Sequence, residues 1–169
     1  MESKTPRDTY AITTEFVLHN DTNALCNLHG GSLLRWMDIV SAISAHRLCR
    51  RVVVTASVNN VSFGMMIPLG SIVTLEAKVS RSFNTSMEVV IDVFVEDPVS
   101  GEKAKSNQAI YTFVAVDQNG ASLPVPKIEP ETEEEKERYD AALRRRQLSL
   151  ILAGKIKPDE ATELKALFS

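Results

Sequence analysis

An α+β domain, with one antiparallel sheet curled around a single long helix, is what the hydrophobic pattern of this chain encodes. Three observations predict it. The run from Gly31 to Arg50 is apolar in nearly every direction around a helical axis, and such a helix is normally buried centrally. One strand-like segment precedes it and four follow. The links after it (GMMIPLGS, SFNTS, DPVSGEK, DQNG) are turn-like and too short for parallel crossovers, so the strands read as antiparallel neighbours in a meander. A sheet of that kind wrapped on one helix buries both apolar surfaces at once.

Each element has its own warrant. Tyr10 to Val17 alternates, with Tyr10, Ile12, Thr14 and Phe16 on one side, as a half-buried strand should. The helix carries Leu33, Leu34, Trp36, Met37, Ile39, Val40 and Ile43 among its apolar residues. Arg51 to Phe63 is rich in Val and Thr. Ile72 to Ser80 sets Val73, Leu75, Ala77 and Val79 against Thr74, Glu76 and Lys78. Met87 to Val95 repeats that alternation, and Gln108 to Val116 is aromatic and β-branched. After a Pro-rich connector, Thr132 and Glu135 have the spacing of a capping box. Acidic residues fill the first turns of the helix they open, and Arg144, Arg145 and Arg146 its last, as the helix dipole prefers. Gly154 ends it, and Pro158-Asp159-Glu160 is placed to open a short final helix.

Composition narrows the function. The 169 residues fit one domain, 44% hydrophobic and 24% charged, as expected of a globular protein with a core. A formal charge of −3 supplies no basic field, so no nucleic-acid partner is expected. The longest apolar stretches fall far short of the roughly 20 residues of a membrane span. The opening MESKTPRDTY lacks the apolar core of a secretory signal. A cytoplasmic, reducing setting with Cys26 and Cys49 as free thiols is therefore expected.

The stretch NLHGGSLLRWMD (Asn27 to Asp38) is where chemistry enters. Gly30 and Gly31 let a ligand atom approach the backbone closely, and the helix they open offers unpaired N–H groups and partial positive charge to an oxyanion. The bland alternative is a tight turn into a helix. Asp38 lies seven residues beyond Gly31, on the order of 10 Å along the axis. A carboxylate buried there must be paired or line a cavity, or else face a subunit partner. Asn23, taken alone, is a turn residue. No GxGxxG, P-loop, CxxC pair or GxSxG elbow occurs, and His19, His29 and His46 lack metal-ligand spacing, so no metal is expected. Cys26 near His29 has no third group to make it a nucleophile.

Taken in order, these residues resemble a known family. DTNALCNLHGGSLLRWMD (Asp21 to Asp38), FNTSMEVVIDVFVED (Phe83 to Asp97), YTFVAVD (Tyr111 to Asp117) and the tail PETEEEKERYDAALRRRQ are similar to hot-dog-fold acyl-CoA thioesterases. The branch is that of YciA-type and brain-type acyl-CoA hydrolases, and the likeness runs from about Asp8 to Gln147. Family members often carry Gly where this chain has Cys26. The resemblance implies a hot-dog domain at 8–127 with a C-terminal helical extension at 128–169. It also implies a homodimer with interfacial active sites, assembled as a trimer of dimers, in which Asn23 of one subunit and Asp38 of the other face one thioester.

On that reading the substrate is an acyl-CoA, hydrolysed to free acid and CoA. The catalytic set is Asp38 as general base or nucleophile, Asn23 to orient water or carbonyl, and Gly31 with Gly30 as oxyanion donors. No cofactor is needed beyond the CoA of the substrate. Arg81, Ser82, Thr85 and Ser86, with Arg144 and Arg145 as a second choice, are the candidates for the CoA phosphates. His29, Asn59 and Ser62 are placed at the substrate site. Two other readings keep the chain's features: a hydratase or dehydratase on the same fold, with His29 catalytic, and a non-catalytic acyl-CoA or nucleotide-binding protein.

Overall fold

A computed structural model describes residues 1–169. In chain order the elements are β1 (Ala11–Phe16), α1 (Gly30–Cys49), β2 (Val52–Asn59), β3 (Ile72–Ser82), β4 (Ser86–Glu96) and β5 (Lys103–Val116), then α2 (Glu133–Leu152) and α3 (Thr162–Lys165). The five strands form one antiparallel sheet in the order β1-β3-β4-β5-β2, curled onto α1. This is the α+β hot-dog architecture.

The expected meander holds only for β3, β4 and β5. β2 pairs with β5 at one edge, while β3 pairs with β1 near the other, so residues 60–71 cross the structure. The GMMIPLGS segment is therefore a crossover and not a turn. The strand expected to reach Phe63 stops at Asn59, because Asn60 adopts a left-handed φ of +56°.

Strand alternation builds the core. Met87, Val89, Ile91 and Val93 of β4 point at α1, beside Val73, Leu75, Ala77 and Val79 of β3. They pack against Leu33, Trp36, Met37, Val40, Ala45 and Leu48 of the helix. The alternate residues of β4, Glu88 and Asp92, face α2 on the outer side. On β1 the expected polarity is reversed: Ala11 is buried, while Ile12 and Phe16 are exposed on the outer side.

α1 differs from expectation in one informative way. Ile39 and Ile43 remain 47% and 44% exposed, walling an open groove with Val53 of β2. A helix apolar on every side thus finds sheet on one side only within a single chain. Arg50 ends it in the left-handed region at φ +53°, its N–H donating to the His46 carbonyl at 2.7 Å.

α2 opens with the capping box: Thr132 Oγ1 accepts from the Glu135 N–H, and Glu135 Oε2 accepts from the Thr132 N–H, both at 3.2 Å. The helix continues to Leu152, so the three arginines are not its last turn. They lie mid-helix. Arg145 donates to both oxygens of buried Glu88 (3.0 and 2.7 Å), and Arg138 donates to Asp92 at 2.9 Å. Gly154 (φ +68°) follows the helix end, and a short 3-10 turn at Pro158–Glu160 leads into α3.

Candidate active site

The segment before α1 is shaped by its own polar groups. Asn23 Oδ1 accepts from the N–H groups of Leu25 (2.9 Å) and Asn27 (3.2 Å), and the residue is otherwise exposed. Cys26 sits at φ +58°, a conformation that suits glycine and accounts for the residue that the resembling family prefers there. The loop is pinned to the crossover: the Leu28 N–H donates to Ile67 O at 2.7 Å, and the Leu69 N–H to Cys26 O at 2.9 Å.

His29 is the N-cap of α1. Its Nδ1 accepts from the Gly31 N–H at 3.1 Å, so the amide expected to hold an oxyanion is engaged by the neighbouring imidazole. That ring is exposed. Phe63 covers Gly30: a side-chain carbon at this position would lie 3.5 Å from the ring, in ordinary van der Waals contact.

Asp38 is half-buried near the middle of α1. Its Oδ1 accepts a 2.7 Å hydrogen bond from Thr55 Oγ1 of β2. Grooves open on either side of it. One, of about 470 Å³, is lined by Leu34, Val58, Val61, Phe63 and Tyr111, with Arg35 at its edge. The other, of about 480 Å³, has Ile39, Ala42, Ile43 and Val53 on its walls and Arg47 and Arg50 at its far end. Tyr111 is buried, and its hydroxyl donates to Leu34 O at 3.1 Å. Burial first, and the negative charge of Asp38 second, push its pKa up to about 12. A carboxylate held by one hydroxyl at the edge of an apolar groove is able to activate water beside a bound aliphatic group.

Asp38 and Phe63 line one groove, and Phe63 also covers Gly30, which lies outside it. Asn23 and the Gly31 amide do not line that groove within the chain. Asn59 ends β2 without lining it either. Ser62 is exposed, and its carbonyl accepts from the Asn107 side-chain amide, which anchors the loop that carries Phe63.

The residues expected at the CoA phosphates gather on the outer side of the sheet, and most are engaged there. The Arg81 guanidinium stacks 3.9 Å from the Tyr139 ring centre and donates to the Tyr139 carbonyl. Ser82 Oγ accepts from the Ile128 N–H, the Thr85 carbonyl accepts from the Ala115 N–H, and Ser86 is buried beneath Arg146. Arg145 is spent on Glu88; Arg144 makes no ion pair and lines a shallow groove beside Arg138. A further cavity on this side, about 360 Å³, holds Lys78, Lys105, Asp92, Glu135 and Arg138, which pair among themselves.

Thr55, Tyr111 and Phe63 are the site residues that sequence reasoning missed. Thr55 and Tyr111 look like ordinary strand residues, and only the pairing of β2 with β5 brings both to α1.

Comparison with known proteins identifies the family and the fold. Residues 26–102 match the family model described as Thioesterase superfamily. The uncharacterized acyl-CoA thioester hydrolase YkhA of Bacillus subtilis is 38% identical over 144 residues, 85% of this chain and 84% of that one. An apo-hexameric acyl-CoA thioesterase superposes with a TM-score of 0.86 at 35% identity, covering 90% of this chain and 98% of that one. An acyl-CoA hydrolase of Staphylococcus aureus, solved with butyryl coenzyme A, coenzyme A and coenzyme A disulfide, gives 0.81 at 31%, covering 97% and 99%. Structures of the same hydrolase also exist with an aspartate, a threonine or an asparagine replaced by alanine. Sequence identity along most of both chains and the shared fold lead to one assignment: the chain belongs to the thioesterase superfamily, among its acyl-CoA thioester hydrolases.

Proposed function

We propose that this acyl-CoA hydrolase works through Asp38, with Thr55 fixing the carboxylate and an acyl chain lying in the groove of Leu34, Val58, Val61, Phe63 and Tyr111. The observation that carries this reading is the 2.7 Å bond from Thr55 to Asp38 at the mouth of that groove. The three positions replaced by alanine in the Staphylococcus aureus hydrolase support it. There the asparagine precedes the aspartate by fifteen residues and the threonine follows by seventeen, the same spacing as Asn23, Asp38 and Thr55.

In the reaction, Asp38 takes a proton from water, and the water oxygen attacks the thioester carbon. The carbonyl oxygen gains negative charge and is held by the Gly31 N–H, with Gly30 allowing its approach; removing such a donor typically costs about 10²–10³ in rate. The C–S bond then breaks, the thiolate leaves as CoA and collects a proton, and the acid departs. Direct attack by Asp38 through a mixed anhydride gives the same products. Water is the only co-reactant, and no cofactor enters.

The site is completed by a second copy. Ile39 and Ile43 are exposed and, with Val53, wall an open apolar groove beside Asp38, while Asn23 lines neither groove of its own chain. A homodimer closing on that open groove brings the partner's loop and its asparagine to the carboxylate. Further assembly as a trimer of dimers is in keeping with the apo-hexameric relative.

The experiment is CoA-thiol release from a series of acyl-CoAs of increasing chain length. The reading predicts turnover with free acid as product. Loss of conjugated absorbance from an enoyl-CoA without thiol release would instead mark a hydratase, and tight binding without turnover a carrier.

A further inference from the structure

Resting on Asp38 as the group that activates water, we infer that Tyr111 is a positioning residue, fixing the turn of α1 that presents this carboxylate to the thioester. In a regular helix the amide of residue 38 donates to the carbonyl of residue 34. The Tyr111 hydroxyl donates to that same Leu34 carbonyl at 3.1 Å, using the second lone pair that a carbonyl oxygen offers. The helical hydrogen bond that sets the Asp38 backbone is thus tied to the sheet from outside.

The tie comes from a rigid place. β5 lies between β4 and β2, and Tyr111 is 1% exposed, its ring stacked with that of Phe113 at 6.2 Å. Phe113 packs without a hydroxyl, so packing alone does not call for one at position 111. β2 pairs with β5, with Val58 opposite Tyr111 and Thr55 opposite Phe113. Two neighbouring strands therefore each send one hydroxyl to α1: Tyr111 holds the backbone one turn before the acid, and Thr55 holds the carboxylate itself.

Tyr111 is not a proton carrier. Burial and the charge of Asp38 keep it protonated across the working range, so it acts as a fixed donor. It lines the apolar groove together with Asp38, where a misplacement of about 1 Å in a reacting group costs on the order of 10² in rate.

The test is Tyr111→Phe, alone and combined with Asp38→Asn. The single variant is expected to keep its fold and KM while kcat falls roughly tenfold, as for loss of a hydrogen bond that matters in the transition state. In the Asp38→Asn background the same change is expected to do nothing more, because the group it positions is gone. Unchanged kcat in the single variant overturns the inference, as does an equal loss in both backgrounds, which marks a general structural role. If Asp38→Asn itself retains wild-type turnover, the reading of Asp38 has failed, a separate outcome. Should Tyr111→Phe unfold, Tyr111→Met, which also removes the donor and keeps an apolar side chain, is put through the same pair of backgrounds with the same criteria.

Discussion

Thr55 Oγ1 donates to Asp38 Oδ1 at 2.7 Å, linking the edge strand to the one carboxylate in the groove along the central helix. Thr55 is an ordinary strand residue in sequence; the bond exists because β2 folds back beside β5 and not beside β3. It fixes one carboxylate oxygen and leaves the other for water.

Thr55→Val keeps the shape of the side chain and removes the hydroxyl. A hydrogen bond to a charged group contributes about 1.5–3 kcal/mol, so kcat is expected to fall about 10- to 100-fold. The urea midpoint should fall as well, because the same bond ties β2 to α1. Wild-type kcat in this variant would mean that Asp38 needs no such restraint.

His29→Ala removes the N-cap of α1 and is expected to lower stability by about 1 kcal/mol, read as a shift in urea midpoint. It also releases the Gly31 amide. If that amide serves the carbonyl, kcat stays near wild type; a collapse of kcat would give the imidazole a direct chemical part.

The subunit arrangement has its own test. Asn23→Ala and Asp38→Asn are each expected to be nearly inactive. Mixed after co-expression, they form some dimers with one site carrying both lesions and one site intact. Activity should therefore reappear in the mixture. No recovery in isolated mixed dimers would place Asn23 and Asp38 of one site on the same chain.

Acid should loosen α2 from the sheet. Burial alone would raise the Asp92 pKa, but hydrogen bonds from Lys105, Gln108 and Arg138 outweigh it and hold the group below its ordinary value. Glu135 is lowered likewise, against its burial, by the amides of Glu131 and Thr132 and by Lys78. A folded pKa below the unfolded one gives stability that is present above the unfolded value and lost as pH falls through the folded one, here below about pH 4. Urea midpoints at neutral and acid pH should show that loss. Asp92→Asn should flatten part of the pH dependence, and an unchanged profile would remove Asp92 from the account.

How much of this was legible in the sequence varied with the range of the contact. The long helix, the alternation of β3 and β4, and the capping box of α2 are local patterns, and residues within one turn or one strand decide them. The place of β2 was not legible, because a twelve-residue crossover and a loop look alike until the partners are known. The arginines show the same limit: Arg81 and Arg145 look like phosphate ligands in sequence, yet Tyr139 and Glu88 occupy them. Asp38 stood out because a carboxylate among apolar residues needs a reason, whereas Thr55 and Tyr111 gained theirs only through strand pairing.

The most direct measurement is CoA-thiol release by purified Asp38→Asn beside wild type, on the best acyl-CoA of the series, with circular dichroism to show that both are folded. The account predicts a fall in kcat of about 10³-fold or more, in the range seen when a catalytic acid or base is lost. Turnover at the wild-type rate by a folded Asp38→Asn would contradict it.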